Sequence, residues 1–431
     1  MKGPAVVLLL LALTPLSAAA QAAPPPADAV RVPARLTLDD ALRLAEARSP
    51  ILIEARAYAA AAEAEAVGAS KRPNPSLDIE FRGFPLFEPD LPPVLDNAEL
   101  TIAVDQEFEP GGRRARRREA AALGVQVSAA EGADALRRLR LDVQRSFLQL
   151  VLAQAEAAAA TDTLAGVDRV LAINRARYEQ GELSGVELRR LQVERHRFAD
   201  DARVAELMVR NARSRLLALL HVRPLDQPFE AADPPVDAVA QPPVASGSAA
   251  GAAGAVSERA DIRALRLAEQ RADAEAKLQH ALRIPPFSFG GGYQRDFGTN
   301  AVVLRATIPL AIANRNEAGR ARADADRTLA ASRTALAAAA AELEVQLARD
   351  AVDSGRTRLT AITSDYVRNA REALDIVLAA YRAGAATLID YLDAQRALRD
   401  ARRAEHRARY EYRLSMYELE AAMGAAGAHG R

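Results

Sequence analysis

The chain has 431 residues and no cysteine, which excludes disulfides and thiolate metal sites. Its 57 basic and 57 acidic residues cancel, so the overall charge does not indicate a nucleic-acid partner. Hydrophobic residues make up 50% of the chain, but much of this is alanine, and aromatic residues make up only 4%. This composition favours long helices that pack closely over a thick globular core.

The N-terminal residues 1–23 are typical of a secretory signal peptide. The apolar stretch from Ala5 to Leu13 is too short to span a membrane in the mature chain, and small residues offer cleavage sites after Ala20 or Ala23. An uncleaved membrane anchor is the alternative. Because the cleavage region has no cysteine, we expect no lipid anchor. Since no other stretch has 18 consecutive apolar residues, we expect an exported mature protein with no transmembrane helix.

Helical periodicity dominates the rest of the chain. The predicted helices run from Thr37, as the N-cap, to about Lys71, and then over about Gly112 to Tyr178, Ser184 to His221, Ser257 to Leu282, Asn316 to Tyr381 and Thr387 to Met423. Two of them exceed 60 residues, which corresponds to roughly 100 Å at about 1.5 Å per residue. Helices of that length without a thick core must pack side by side as coiled coils.

The two halves of the chain resemble each other. The stretch "RYEQGELSGVELRRL" in the first half aligns with "AYRAGAATLIDYLDA" in the second, so that Tyr178 and Gly181 correspond to Tyr381 and Gly384. This similarity predicts an internal duplication of about 200 residues, with chance similarity between Ala/Arg-rich helices as the alternative. The expected units are a first repeat over 24–222, a Pro/Ala/Gly-rich linker over 223–256, a second repeat over 257–424 and a short tail over 425–431.

Each half also contains two stretches in which apolar and polar residues alternate, at about 75–108 and about 286–312. Leu77, Ile79 and Phe81, for example, alternate with charged residues. Alternation with a period of two predicts strands with one apolar and one polar face, and each pair predicts a β-hairpin. A length of about ten residues is typical of strands in membrane-spanning barrels. Two soluble hairpins in a helical protein are the alternative.

Four strands cannot close a barrel, and an open sheet edge in lipid leaves backbone groups unpaired at several kcal/mol each. We therefore expect several copies to share one barrel, and three copies would supply about twelve strands around a lumen. The apolar faces would then contact lipid and the polar faces would line the lumen. The residues expected in the lumen are Asp78, Glu80, Arg82, Asp105 and Arg305.

With these features the chain resembles the TolC-type outer membrane factors, the exit ducts of bacterial efflux pumps and type I secretion. The resemblance covers essentially the whole mature chain and is carried by "LTLDDALRLAEARSP", the duplicated strand-to-helix junctions and "YRAGAATLIDYLDAQRAL". The junctions "FEPGGRRAR" and "IPLAIANRNEAGRA" are most similar to the heavy-metal cation efflux (CzcC-like) subfamily. That subfamily usually has a phenylalanine where this chain has Ala313.

The resemblance implies a mainly α fold with a small β part. Duplicated long coiled-coil helices would form a trimeric α-barrel through the periplasm, and four amphipathic strands per chain would contribute to a shared twelve-stranded outer membrane β-barrel. The implied partners are two further copies of the chain, a periplasmic adaptor protein, an RND-type inner membrane pump and outer membrane lipid. Pro224 to Ser257 would belong to the equatorial region around the helices.

The resemblance also implies functions for the sequence around the two glycines. Gly181 and Gly384 would lie at the periplasmic tips of the coiled-coil pairs, where a glycine lets the chain reverse. The family docks its adaptor at these tips, so Tyr178, Gly181, Tyr381 and Gly384 are the candidate adaptor contacts. The alternative is that these tyrosines and glycines serve only the turns.

Asp390 and Asp393 correspond to two aspartates that ring the pore near the closed tip in TolC-like proteins. Six carboxylates from three copies would bind cations and set selectivity. Glu187 and Tyr381 correspond to members of a network that locks the tip, but the arginine of that network is replaced here by Ala386. A solvated helix face is the alternative for the two aspartates.

The sequence contains no pattern typical of catalysis. The histidines are scattered without metal-ligand spacing, and no nucleophile lies beside a candidate base, so we expect no catalytic residue, metal or cofactor. The predicted function is the passive exit duct of a tripartite efflux system, for heavy-metal cations or small toxic compounds, in the outer membrane of a Gram-negative bacterium. A type I secretion duct and a soluble periplasmic coiled-coil scaffold or adaptor are the alternatives.

Overall fold

The computed structural model describes residues 31–83, 99–232, 254, 256–296 and 298–424. The expected signal peptide, most of the long loop between the first two predicted hairpin strands, much of the linker and the tail lie outside these residues. The helices are α1 (Leu38–Arg48), α2 (Pro50–Ser70), α3 (Arg113–Glu179), α4 (Gly185–Leu219), α5 (Ala260–Ala281), α6 (Glu317–Ala361), α7 (Arg368–Arg382) and α8 (Leu388–Ala422). The strands are β1 (Arg35–Leu36), β2 (Ser76–Arg82), β3 (Glu99–Phe108), β4 (Glu230–Ala231), β5 (Phe287–Asp296) and β6 (Thr299–Thr307).

The first predicted helix is two helices, so the prediction of a continuous helix was wrong here. Thr37 caps α1 as expected, since its side chain accepts a hydrogen bond from the backbone of Asp40. Ser49 then leaves the helical conformation, with ψ of 121°. Pro50 explains this break, because proline disfavours the helical conformation of the residue before it and suits the first position of a new helix.

Each half of the chain contains one long helical column. Helix α3 runs for 67 residues, and α6, of 45 residues, continues through a six-residue π segment (Ile362–Val367) into α7, of 15 residues. The predicted uninterrupted α-helix to Tyr381 was therefore wrong at the π segment. Both α3 and α6 follow a residue in the left-handed conformation, Gly112 with φ of 72° and Asn316 with φ of 60°. The duplicated junctions thus turn from strand to helix in the same way.

The four long strands form one antiparallel sheet in the order β2-β3-β5-β6. The two predicted hairpins, β2-β3 and β5-β6, pair with each other through β3 and β5. Strand β6 ends at Thr307, so Ile308 and Leu310, which the alternation placed in the strand, lie beyond it. A second, two-stranded sheet pairs β1 with β4 in parallel, and the pattern did not predict these short strands.

The largest buried apolar clusters lie at two levels of the helices. One joins α1, α3 and the end of α4 around Phe147 and Leu216, next to the β1-β4 sheet. The other joins the ends of α3 and α7 to the beginnings of α4 and α8, so the two glycine turns lie at the same end of the molecule. Within the part of the chain that the structure describes, no helix is long and apolar enough to cross a membrane.

Candidate functional site

The four-stranded sheet has one apolar face. Directly opposite residues of an antiparallel sheet carry their side chains on the same side. The observed register therefore places Leu77, Val104, Gly291 and Leu304 in one row across the sheet. The next row is Ile79, Ile102, Tyr293 and Val302. These large apolar side chains are exposed, so the described residues leave a continuous apolar surface on the sheet.

The opposite face of the sheet is polar. The register places all five residues predicted for the lumen on it, namely Asp78, Glu80, Arg82, Asp105 and Arg305. Arg82 pairs with Glu80 two residues earlier in the same strand, at 2.8 Å. The Arg305 guanidinium lies 3.4 Å from the carboxylate of Asp105 and 3.9 Å from that of Asp78. These five charged side chains thus lie on the face opposite the apolar rows.

The two glycine turns have the same hydrogen-bonding pattern. Gly181 and Gly384 both adopt φ of 76°. The Gly384 N–H donates to the Tyr381 carbonyl at 3.1 Å, and the next N–H reaches back to the Ala380 carbonyl at 2.8 Å. The Gly181 turn repeats both bonds at 3.0 and 2.9 Å. This is the Schellman arrangement, which needs a left-handed residue and so favours glycine.

Each turn is followed by a capping box, and this explains two of the predicted gate residues. Ser184 caps α4 together with Glu187, and Thr387 caps α8 together with Asp390. The Asp390 carboxylate accepts hydrogen bonds from the Thr387 hydroxyl at 2.7 Å and the Thr387 N–H at 2.8 Å, which lower the pKa of Asp390. The spacing of Ser or Thr three residues before an acid was visible in the sequence and could have predicted both caps.

Asp393, the second predicted ring residue, is differently placed. Its side chain is 63% exposed and accepts a hydrogen bond from Arg396 at 3.1 Å. The same guanidinium lies 2.8 Å from Glu194 on α4. Arg396 therefore links the second helical hairpin, α7-α8, to the first, α3-α4. Sequence reasoning missed Arg396. The exposed pair between Arg396 and Asp393 contributes little stability by itself.

Tyr381 lies inside the turn cluster. It is only 6% exposed, and its hydroxyl donates a 2.7 Å hydrogen bond to the Asn174 amide oxygen. The expected partner, Glu187, is instead bonded to Ser184. A buried tyrosine offers no contact surface, so Tyr381 differs from the expectation of an adaptor contact. Sequence reasoning missed Asn174, although a polar residue at a position that continues the apolar spacing of Val167 and Leu171 was a visible signal.

Tyr178, the equivalent tyrosine of the first turn, is 48% exposed and its ring packs beside Gly185. Exposed apolar side chains surround the two turns at equivalent positions in the two halves. They are Ile173 and Ile376 before the glycines, and Val186 and Ile389 after them. The turn end of the molecule therefore presents an apolar surface in duplicate.

Acidic and histidine side chains are dispersed over the described residues. Within residues 31–83, 99–232, 254, 256–296 and 298–424, no three His, Asp or Glu side chains lie close enough together to hold a metal ion. A cavity of about 280 Å³ opens near the turns and is lined by Tyr381, Arg177, Glu182 and Arg382. It is an open groove between the two helical hairpins, and no nucleophile lies beside a base in its lining.

Solved structures of channel proteins have this fold. CusC, whose structures report folding and transmembrane channel formation, aligns with a TM-score of 0.77 at 18% identity, covering 90% of this chain and 92% of that one. VceC of Vibrio cholerae aligns with a TM-score of 0.73 at 19% identity, covering 90% and 96%. The open state of the MtrE outer membrane channel of Neisseria gonorrhoeae gives 0.70 at 19% identity, covering 90% and 88%.

No curated protein has a sequence that matches this chain. The structural matches are too low in identity to show more than the fold. The sequence, however, matches the family description "Outer membrane efflux protein" over residues 41–220 and 253–425, which is most of the chain. Members of that family are trimeric channels that work with adaptor and inner membrane pump partners. The chain belongs to the outer membrane efflux protein family.

Proposed function

We propose that this protein is the trimeric outer membrane duct of a tripartite efflux system. The observation that carries the proposal is the register of the four-stranded sheet, which places an exposed apolar surface on one face and charged residues on the other. Lipid is the environment that suits such an exposed surface, and water in a lumen suits the opposite face. Three copies would pair the free edges of β2 and β6 and close a twelve-stranded barrel.

The turn end would face the periplasm and carry the gate and the adaptor surface. Asp390 and Asp393, in the first two turns of α8, would approach the axis in three copies and form a cation ring. Tyr178 and the backbone at Gly181 and Gly384, with the apolar side chains around them, would contact the helical hairpins of the adaptor. Energy would come from an RND-type pump.

We further propose heavy-metal cations as the cargo, with small toxic compounds as the second possibility. The strand-to-helix junctions and the acidic residues near the turn support this choice. A type I secretion duct is the second candidate function, favoured by the same fold and the same long helices. The family match favours a channel over the soluble scaffold, which would have no use for an uncovered apolar sheet face.

The first experiment is the native mass of the protein extracted in detergent from outer membranes, by light scattering. Three chains per particle are expected. A monomer, or protein found only in the soluble periplasm, would contradict the shared barrel. The ring is tested in planar bilayers: Asp390→Ala with Asp393→Ala should weaken block by multivalent cations, and unchanged block would remove these residues from the pore.

A further inference from the structure

An ion-pair cluster crosses the polar face of the sheet. Arg305 lies on the edge strand β6, while its partners Asp105 and Asp78 lie on β3 and β2. Strand β5 separates β6 from β3. Arg305 therefore reaches over β5, and the three side chains connect the first predicted hairpin to the second.

Gly290 makes this crossing possible. It is the β5 residue directly opposite both Asp105 and Arg305. A Cβ at Gly290 would lie 2.1 Å from a carboxylate oxygen of Asp105 and 2.7 Å from the Val104 carbonyl. The Asp105 carboxylate thus occupies the space of the missing side chain. The requirement for glycine here is one of space, because the position has no left-handed backbone.

The neighbouring glycine provides a comparison. Gly291 points to the apolar face, where a Cβ would meet the Leu304 side chain at 3.3 Å and the nearest backbone atom, the Val303 carbonyl oxygen, at 3.6 Å. That contact is tight but concerns the end of a flexible side chain. The space around Gly290, under the ion pair, therefore requires glycine, whereas the space around Gly291 requires it much less.

The charges of this face are unequal. Its carboxylates belong to Asp78, Glu80, Glu99, Asp105, Glu107 and Asp296, and its guanidiniums to Arg82 and Arg305. Arg82 forms an ion pair with Glu80 in its own strand. Arg305 is shared between two carboxylates, of which Asp105 has a side chain only 11% exposed. Arg305 is therefore the cation that offsets a net negative cluster in the middle of the sheet.

We propose that Arg305, held over Gly290 by Asp105 and Asp78, sets the charge selectivity of the β-lined passage. The proposal rests on the proposed function, which makes the polar face a lumen. Fixed charges along a passage with low-dielectric walls concentrate ions of the opposite sign. Three acidic clusters, each weakened by one guanidinium, give a passage that favours cations moderately, and loss of the guanidinium strengthens that preference.

Reversal potentials in planar bilayers under a KCl gradient test this proposal. Arg305→Gln should raise the cation-to-anion permeability ratio, by at least about twofold, because each subunit loses one positive charge. Asp105→Asn should lower it. The double variant keeps the net charge of the wild type, so its ratio should return towards the wild-type value. Arg43→Gln, at an exposed side chain of α1 and outside the four-stranded sheet, removes the same charge and should change nothing.

The outcomes separate the two proposals. A wild-type protein that forms no channel overturns the proposed function, and the selectivity proposal with it. A conducting channel whose ratio is the same in Arg305→Gln and the wild type overturns the selectivity proposal alone. Gly290→Ala should reduce the yield of assembled oligomer severalfold on unheated gels, and Gly291→Ala should not. Equal yields for these two variants contradict the space requirement under the ion pair.

Discussion

The phenolic hydroxyl of Tyr381 donates a 2.7 Å hydrogen bond to the amide oxygen of Asn174, a residue 207 positions earlier in the chain. The Tyr381 ring also stacks on Tyr391, with ring centroids 5.9 Å apart. The bond ties α7 of the second hairpin to α3 of the first in the interior of the turn cluster. Burial raises the pKa of Tyr381, so its hydroxyl remains a neutral donor well above physiological pH.

Removing this hydroxyl should loosen the turn end. Among the described residues the Asn174 amide nitrogen already has no hydrogen-bond partner, so Tyr381→Phe leaves the whole buried amide unsatisfied. We expect a loss of about 1–3 kcal/mol in the free energy of unfolding. In bilayers the same variant should open more often, if relative movement of the hairpins opens the duct. Thermal unfolding in detergent and single-channel recording measure the two effects.

A double variant distinguishes a hydrogen bond from a packing effect. Asn174→Leu with Tyr381→Phe replaces both partners by apolar groups, so it should be less destabilised than the sum of the two single variants. The control is Tyr178→Phe, the equivalent change in the first turn, where the ring is exposed and little stability should be lost. Strict additivity of the two buried changes would show that the hydrogen bond contributes nothing.

The Asp390 cap makes the first turn of α8 sensitive to acid. The Thr387 hydroxyl and backbone donate to the Asp390 carboxylate and lower its pKa. A group whose pKa is lowered by folding stabilises the fold above its unfolded pKa, and that stabilisation is lost as the pH falls through the folded pKa. The cap should therefore persist at neutral pH and fail only below the usual carboxyl range.

Thr387→Ala tests the cap without removing the carboxylate. Loss of both hydroxyl bonds should bring the pKa of Asp390 back towards its usual range, so the turn should lose its protection at a higher pH than in the wild type. Hydrogen exchange of the amides that begin α8, measured over acidic pH, reports this difference. Asp393→Asn, which leaves the cap intact, serves as the control and should behave like the wild type.

The sequence alone predicts features that depend on local periodicity. Alternation predicted the faces of the four strands and the residues they carry, and Gly181 and Gly384 predicted the ends of two long helices, because these signals lie within a few residues of each other. Pro50 is also a local signal, although the helical periodicity on both sides of it predicted one continuous helix. The Thr387 and Asp390 cap is a further local signal, because a threonine stands three residues before an acid at the start of α8.

Other features arise only when distant segments meet. The role of Asn174 depends on which residue of α7 packs against α3, and the role of Gly290 depends on the carboxylate of Asp105 in another hairpin. No periodic pattern within one segment contains that information. The π segment is similar, since composition does not indicate where a helix of this length takes an extra residue into one turn.

The glycine turns provide a backbone test. A side chain at Gly181 or Gly384 would meet no described atom within 4 Å, so the cost of alanine is that of the left-handed conformation alone, about 1–2 kcal/mol. Gly68, inside α2, is also without described neighbours but has an ordinary backbone, so Gly68→Ala should stabilise by about 0.5–1 kcal/mol. Thermal unfolding should show a lower stability for Gly181→Ala and Gly384→Ala and a higher stability for Gly68→Ala. Destabilisation by Gly68→Ala would contradict the argument.

The π segment predicts where the second column tolerates a deletion. A π turn closes each hydrogen-bonded ring with one residue more than an α turn, so deleting one residue from Ile362–Val367 can restore an α-helix without rotating α7 against α6. We expect a Thr363 deletion to keep the assembled oligomer and the buried position of Tyr381. Deleting Ser354, inside α6, should rotate everything that follows by about 100° and expose Tyr381. Gel mobility of the unheated oligomer and tyrosine absorbance report the two effects. Equal loss of assembly in both deletions would show that the π segment carries no surplus residue.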